Sequence, residues 1–366
     1  MNQILLFIGL VIILCLTIKP VGKKLPFPTL LIFIALGMLL GVNGPAHIDF
    51  SDYGLTETVC STALLFIMFY GGFNTNIDRA KPVAVPAVLL STLGVVITAG
   101  ITGVFARFVL GFDWIGGLLL GSVVASTDAA SVFSVLREHS LSLRGGTDSL
   151  LEVESGSNDP VAYMLTAVLA TLAAGGDINI PALLAKQIIL GVGLGLAIGW
   201  AAGRLIERAH ATAEGAQTIF LFAVAIVAYA LPSYLGGNGF LAVYLAGIVL
   251  GASDITGKVE LAHFFDTLTE MAEMTIFFLL GLLVTPARLP QMLLPGLALM
   301  AFMLFVSRPI AVGLLLAPFK TNPRQVALVS WAGLRGAASV VFSLFAVVAG
   351  VPGGHRSEEH TSELQS

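Results

Sequence analysis

Charge is scarce in this chain: only 11% of its 366 residues are Asp, Glu, Lys or Arg, whereas 57% are hydrophobic. That balance excludes an ordinary soluble domain, in which about a quarter of residues are charged, and the mean hydropathy of +0.94 points the same way. Cations are too few for a nucleic-acid-binding surface, at 18 Lys and Arg against 22 Asp and Glu. Cysteine is almost absent. Cys15 and Cys60 both fall in apolar stretches and read as packing residues, so neither disulfide, metal site nor cofactor is implied. An intramembrane hydrolase is the remote alternative, but its residue patterns are missing. No His-Glu-x-x-His occurs, the six histidines lie in loops or at span ends, and no serine has a base placed beside it within a span. The chain does not read as an enzyme. No basic segment precedes the first apolar run, which ends in Lys19, Lys23 and Lys24, so that run is a first span rather than a cleavable signal.

What the chain has in abundance is apolar runs punctuated by Pro, Gly and charge. They describe an all-α polytopic protein of the lipid bilayer. Twelve spans are predicted, at 3–18, 28–42, 57–75, 82–110, 114–136, 149–174, 181–206, 216–235, 238–252, 262–285, 291–317 and 325–351. Lys19 to Lys24, Arg79, Lys81, Arg137, Arg144, Arg204, Arg208, Lys258, Lys320 and Arg324 fall on one side of that plan. The positive-inside rule makes that side cytoplasmic and the N-terminus external. Two cations fit no loop. Arg308 is read as snorkelling toward the cytoplasmic headgroups, whereas Arg335 is too deep for that and is expected to meet an acid from another span.

The sixth span carries polar residues where hydrocarbon tolerates almost none, from Glu152 and Glu154 through Ser155-Gly156-Ser157-Asn158-Asp159-Pro160. A carboxylate at mid-membrane costs several kcal/mol unless it faces water, pairs or binds an ion, so this cluster marks the function. At 3.6 residues per turn, Glu152, Ser155, Gly156 and Asp159 share one stripe, and Glu154 and Asn158 share the next. Pro160 lacks an N–H, which frees the Gly156 carbonyl at the level of Asp159 for a cation or water. Ser155, Ser157 and Asn158 could alternatively serve only to join helices. Asp266, Glu270 and Glu273 fall on one face at the start of the tenth span and read as a solvated end or cytoplasmic funnel, to which Asp148 and Glu152 could add.

An internal echo suggests the architecture. Ser126-Thr127-Asp128-Ala129-Ala130-Ser131-Val132 in the fifth span resembles Leu334-Arg335-Gly336-Ala337-Ala338-Ser339-Val340 in the twelfth. Small, polar, Gly-containing breaks at matching positions are expected of inverted repeats whose discontinuous helices expose half-helix ends at an ion site. On this reading the first repeat covers about 1–175, a linker helix 181–206, and an incomplete second repeat 216–355, with a thirteenth span expected beyond. Residues 356–366, Arg356-Ser357-Glu358-Glu359-His360-Thr361-Ser362-Glu363-Leu364-Gln365-Ser366, change composition abruptly and resemble translated sequencing adapter, a non-native tail.

Glu154-Ser155-Gly156-Ser157-Asn158-Asp159-Pro160, the Thr127-Asp128 break and Gly333-Leu334-Arg335-Gly336-Ala337 together resemble the monovalent cation:proton antiporter family, on its sodium/proton and potassium/proton exchanger branch. The resemblance runs to about residue 355. It implies that Asp159 binds cation or proton, that Asn158 marks the electroneutral branch, and that Thr127, Asp128 and Ser155 contribute to the site. It also implies that Glu154 pairs with Arg335, that crossed broken helices form a core moving as an elevator beside a panel, and that the protein is a homodimer with a cytoplasmic C-terminus. Tyr70, in Phe69-Tyr70-Gly71-Gly72-Phe73, stands where some members have an acid, and a looser site leans toward potassium over sodium. Burial disfavours a charged carboxylate, so proton and cation compete for one group, and exchange follows if only the loaded site crosses. A cation-coupled symporter or an ion channel is the alternative, although a channel more often shows a filter loop or a ring of like charges.

Overall fold

The computed structural model describes residues 2–22, 29–42, 44–45, 47–128, 143, 145–176, 178–209 and 214–350. Among these residues the chain forms thirteen helices. They are α1 (Asn2–Gly22), α2 (Leu30–Leu40), α3 (Tyr53–Asn74), α4 (Ile77–Phe108), α5 (Trp114–Val123), α6 (Thr147–Ala173), α7 (Ile180–Ala209), α8 (Glu214–Tyr234), α9 (Gly239–Ala252), α10 (Lys258–Leu283), α11 (Pro286–Phe319), α12 (Pro323–Trp331) and α13 (Ala337–Val348). Every expected span has its helix, and the twelfth divides into α12 and α13 around an unwound stretch at 332–336. The second half of the fifth span and the 356–366 tail lie outside the described residues. Among the described residues, five helices, α3, α4, α7, α8 and α11, are long and apolar enough to cross a membrane. Phe108, Ile219, Leu294 and Phe305 expose most of their surface, as apolar side chains do when the solvent is hydrocarbon.

Two groups of helices pack side by side. One contains α2, α3, α7, α8, α9 and α10, the other α4, α5, α6, α11 and α12, while α13 touches α3 and α10 on one side and α5 and α6 on the other. Helices in lipid gain nothing from excluding apolar surface from each other, so close approach over small residues supplies the attraction. This accounts for many of the 40 glycines. A Cβ on Gly72 of α3 would collide with the Tyr244 carbonyl of α9, and one on Gly247 of α9 would lie 2.5 Å from the Phe69 carbonyl of α3. Gly72→Ala should therefore cost about 1–3 kcal/mol by overpacking. Gly100→Ala in α4, where nothing lies within 4 Å, should be neutral or gain up to ~1 kcal/mol of helix propensity. Melting in detergent separates the two; equal melting temperatures would contradict the packing argument.

α4 and α11 each contain one π-helical turn, at Leu90–Gly94 and Met303–Ser307. The two helices meet where Ser307, the last residue of the α11 turn, donates from Oγ to the Thr98 carbonyl at 3.1 Å and lies 3.1 Å from Thr102 Oγ1. The two π-helical turns fall in the fourth and eleventh spans, seven apart, as the fifth and twelfth spans are.

Candidate ion site

Two unwound stretches cross at the centre of the molecule. α5 stops at Val123 and residues 126–128 leave the helix, while 333–336 separate α12 from α13. The Asp128 N–H donates to the Leu334 carbonyl at 2.8 Å, and Arg335 Nη1 donates to the carbonyls of Ser126 at 2.7 Å and Ala125 at 3.2 Å. Carbonyls freed by unwinding need donors in a membrane interior, and the guanidinium of one break supplies them to the other. Gly336 permits the approach, since a Cβ there would sit 2.6 Å from the Asp128 Cβ.

α6 lies against this crossing and its two stripes separate. Asp159 is 7% exposed and accepts a hydrogen bond from Ser126 Oγ. One turn earlier, Ser155 Oγ donates to the Thr127 carbonyl at 3.0 Å. Asn158, fully buried, donates from Nδ2 to Thr127 Oγ1 at 2.5 Å. Thr127 is thereby held from two sides, and Asp128, next in the chain, lines the same cavity as Asp159. This cavity, of about 470 Å³, opens along Glu152, Ser155, Gly156 and Asp159, the first stripe of α6. Asp148 of α6 and Asp266, Glu270 and Glu273 of α10 also line it, as do Tyr70 and Asn74 of α3. Among the described residues, seven carboxylates and no Lys or Arg line the cleft, and Asp159 stands at its deep end. Its potential concentrates cations.

The sequence reading of the two buried cations is corrected here. Glu154 does not pair with Arg335. Its Oε1 lies 2.6 Å from Nη2 of Arg308, and the two side chains are 1% and 3% exposed. The contact is a charge pair set off the hydrogen-bonding direction. Arg308 is not snorkelling to the headgroups: it leaves α11 and passes over Gly333, where a Cβ would lie 3.1 Å from its Nε. Arg335 is drawn instead to carbonyls that unwinding left bare. Helical phase puts Glu154 off the ion-facing stripe but cannot say which of two deep arginines reaches it.

Pro160 leaves α6 unbroken while offering no N–H to the Gly156 carbonyl, and Gly156 lines the cleft with Asp159. α6 continues through it as far as Ala173, and the flank of Gly156 is covered by Tyr244, whose Cε2 would lie 2.7 Å from a Cβ there. The Pro160 carbonyl accepts from Nδ2 of Asn238, the N-cap of α9, at 2.8 Å. Ser126 is the site residue that sequence reasoning left out. It stood in the repeat string beside Thr127 and Asp128, but only the crossing shows that its hydroxyl reaches Asp159.

Residues 9–357 match the family model described as "Sodium/hydrogen exchanger, transmembrane". The chain is 40% identical over 358 residues to the K(+)/H(+) antiporter NhaP2 of Shewanella sp. (strain ANA-3), covering 96% of this chain and 62% of that protein. It is 27% identical to the Na(+)/H(+) antiporter 1 of Methanocaldococcus jannaschii, covering 94% and 83%. It thus spans about three-fifths of the length of the potassium/proton relative. The solved structure of the sodium proton antiporter MjNhaP1 from Methanocaldococcus jannaschii at pH 8 superimposes with a TM-score of 0.82 at 25% identity, covering 95% of this chain and 88% of that one. With a family match across nearly the whole chain and a shared fold, the chain belongs to the sodium/hydrogen exchanger family.

Proposed function

We propose that this protein is a secondary active antiporter that exchanges a monovalent cation for a proton across the membrane. The observation that carries the reading is Asp159, buried at the end of a cleft whose charged lining, among the described residues, is acidic, and held there by the Ser126 hydroxyl. One carboxylate serves two ligands in turn. The cleft attracts cations, dehydration at its end favours either a bound cation or a bound proton over a bare charge, and movement of the loaded site gives exchange. Asn158 is neutral and engaged with Thr127, so Asp159 has no acid as its neighbour on α6, and exchange is one-for-one and electroneutral. Thr127, Asp128 and Ser155 shape the site, with Asp128 adding negative charge to the cleft. Potassium is favoured over sodium: Tyr70 lines the cleft where an acid would tighten the site, and the relative at 40% identity is named for potassium. The α4, α5, α6, α11 and α12 group moves as an elevator against the other helices, within two repeats and a homodimer. The cleft mouth faces the cytoplasm and the N-terminus the outside.

The test is exchange by the full-length gene product in proteoliposomes carrying an internal pH dye, under imposed K⁺, Na⁺ and Li⁺ gradients. Luminal pH should follow the direction of the cation gradient without a membrane potential; a response requiring a potential would sink the electroneutral reading. Ser126→Ala withdraws a donor from the charged carboxylate, the form a cation binds. A hydrogen bond to a charged group contributes about 1.5–3 kcal/mol, so the apparent cation affinity should fall at least about tenfold. An unchanged half-saturation concentration would remove Ser126 from the site.

A further inference from the structure

The acidic cleft accounts for access to Asp159 from one side only. Its α3 lining runs from Asn74 to Leu64 and its α6 lining from Asp148 to Asp159, so it ends at the level of Leu64 and Asp159. Beyond that level an aromatic layer closes the path. Tyr163, one turn past Asp159, packs edge-on against Phe240 at 5.0 Å between ring centres. Tyr229 lies 4.9 Å from the same ring and Phe342 lies 6.2 Å from it. Phe240 and Phe342 are 1% and 0% exposed.

On the far side of that layer stands a carboxylate that exchange through the cleft does not use. Glu57 is seven residues before Leu64 on α3, about 10 Å farther along the helix. Its Oε1 accepts from Ser61 Oγ at 2.7 Å. The Tyr229 side chain lies near Ser61, and the Glu57 charge acts on both Tyr229 and Tyr163. The chain just before α3 adds Asp49 and Asp52 at this end of the molecule. A half-buried carboxylate in a lipid-embedded helix bundle is retained at a cost, and here it comes with two hydroxyls, the hard oxygen donors that an alkali cation takes in place of water.

We infer that Glu57, Ser61 and Tyr229 form a second monovalent-cation subsite, on the opposite side of the aromatic layer from the acidic cleft, that receives the ion when Asp159 faces that side. The inference rests on Asp159 as the exchange site. Glu57, Ser61 and Tyr229 sit on α3 and α8, in the helix group opposite Asp159, so the subsite stays in place while the loaded helix moves past it. Tyr163, which travels with Asp159, separates the two in the present arrangement.

The experiment compares the full-length protein in everted and right-side-out membrane vesicles. Glu57→Gln should raise the half-saturating cation concentration fivefold or more in right-side-out vesicles and less than twofold in everted ones, with Glu57→Asp restoring most of the difference. Equal shifts in both orientations, or none, would overturn the subsite. A readout independent of transport is carbodiimide labelling of Glu57 followed by mass spectrometry. K⁺ or Na⁺, but not choline, should slow labelling at least threefold, both in the wild type and in Asp159→Asn. A Glu57 that never reacts, or reacts equally with and without alkali cation, overturns the subsite whatever the transport result. Protection without any exchange activity would instead count against the antiport reading alone.

Discussion

Asp159→Asn is expected to abolish cation-dependent proton flux while leaving the protein folded. The substitution keeps the shape of the side chain and an oxygen that can accept from Ser126 Oγ, so the crossing of 126–128 with 333–336 has no reason to open. What it removes is the charge. Two unit charges about 4 Å apart at an effective dielectric near 20 attract by about 4 kcal/mol, which is close to a thousandfold in affinity. The amide also cannot take up a proton in this range, so both ligands lose the group together. The other acids of the cleft do not substitute for it: Asp148, Glu152 and Asp266 line its approach, whereas Asp159 sits at the end, under Ser126. Proteoliposomes with an internal pH dye check this directly, with melting in detergent as the fold control. Cation-driven flux persisting in a well-folded Asp159→Asn protein would refute the assignment.

The second large effect is on stability. Removing one partner of a buried ion pair strands the other charge, at a cost of about 3–5 kcal/mol. Glu154 and Arg308 are nearly inaccessible and 2.6 Å apart, so Arg308→Ala should lower the melting temperature sharply and reduce the amount of protein in the membrane. Neutralising the stranded charge should recover most of that loss: Arg308→Met with Glu154→Gln is expected to melt near the wild type, because apolar or neutral replacement of a buried pair is often tolerated. The double-mutant cycle also identifies the partner. Glu154→Gln should rescue Arg308→Ala but not Arg335→Ala, which loses its bonds to the Ala125 and Ser126 carbonyls instead. Rescue of the Arg335 variant and not of the Arg308 variant would restore the pairing expected from the sequence.

The difference between these two arginines shows where sequence reading stops. Each is a lone cation deep in an apolar span, and each has a glycine and small residues nearby. Depth led Arg335 to be expected against an acid from another span while Arg308 lay near enough to a span end to snorkel, and the family resemblance named Glu154 as that acid. The structure reverses that because Arg335 lies within a break whose neighbour presents unsatisfied carbonyls, a demand that does not exist until the two breaks cross. Ser126 was overlooked for the same reason. Its position in the repeat string was visible, whereas its approach to Asp159 depends on α5 ending where it meets the middle of α6. The acids of α10 were legible as one face of a helix, but their shared cavity with Asp159 required the packing of α10 against α3.

Sequence alone determined the features that local geometry controls. Apolar run length set the spans, because the bilayer core fixes how many residues a helix needs. The 3.6-residue period put Glu152, Ser155, Gly156 and Asp159 on one stripe and turned Glu154 and Asn158 aside, and the cavity follows that first stripe residue by residue. Tertiary structure decided every partnership between helices: Ser126 with Asp159, Thr127 with Asn158, Arg308 with Glu154 and Asn238 with Pro160. Periodicity fixes the direction in which a side chain leaves its own helix. It carries no information about which neighbour stands there, and in lipid that neighbour is selected by close packing over glycine and by the need to satisfy each buried polar group.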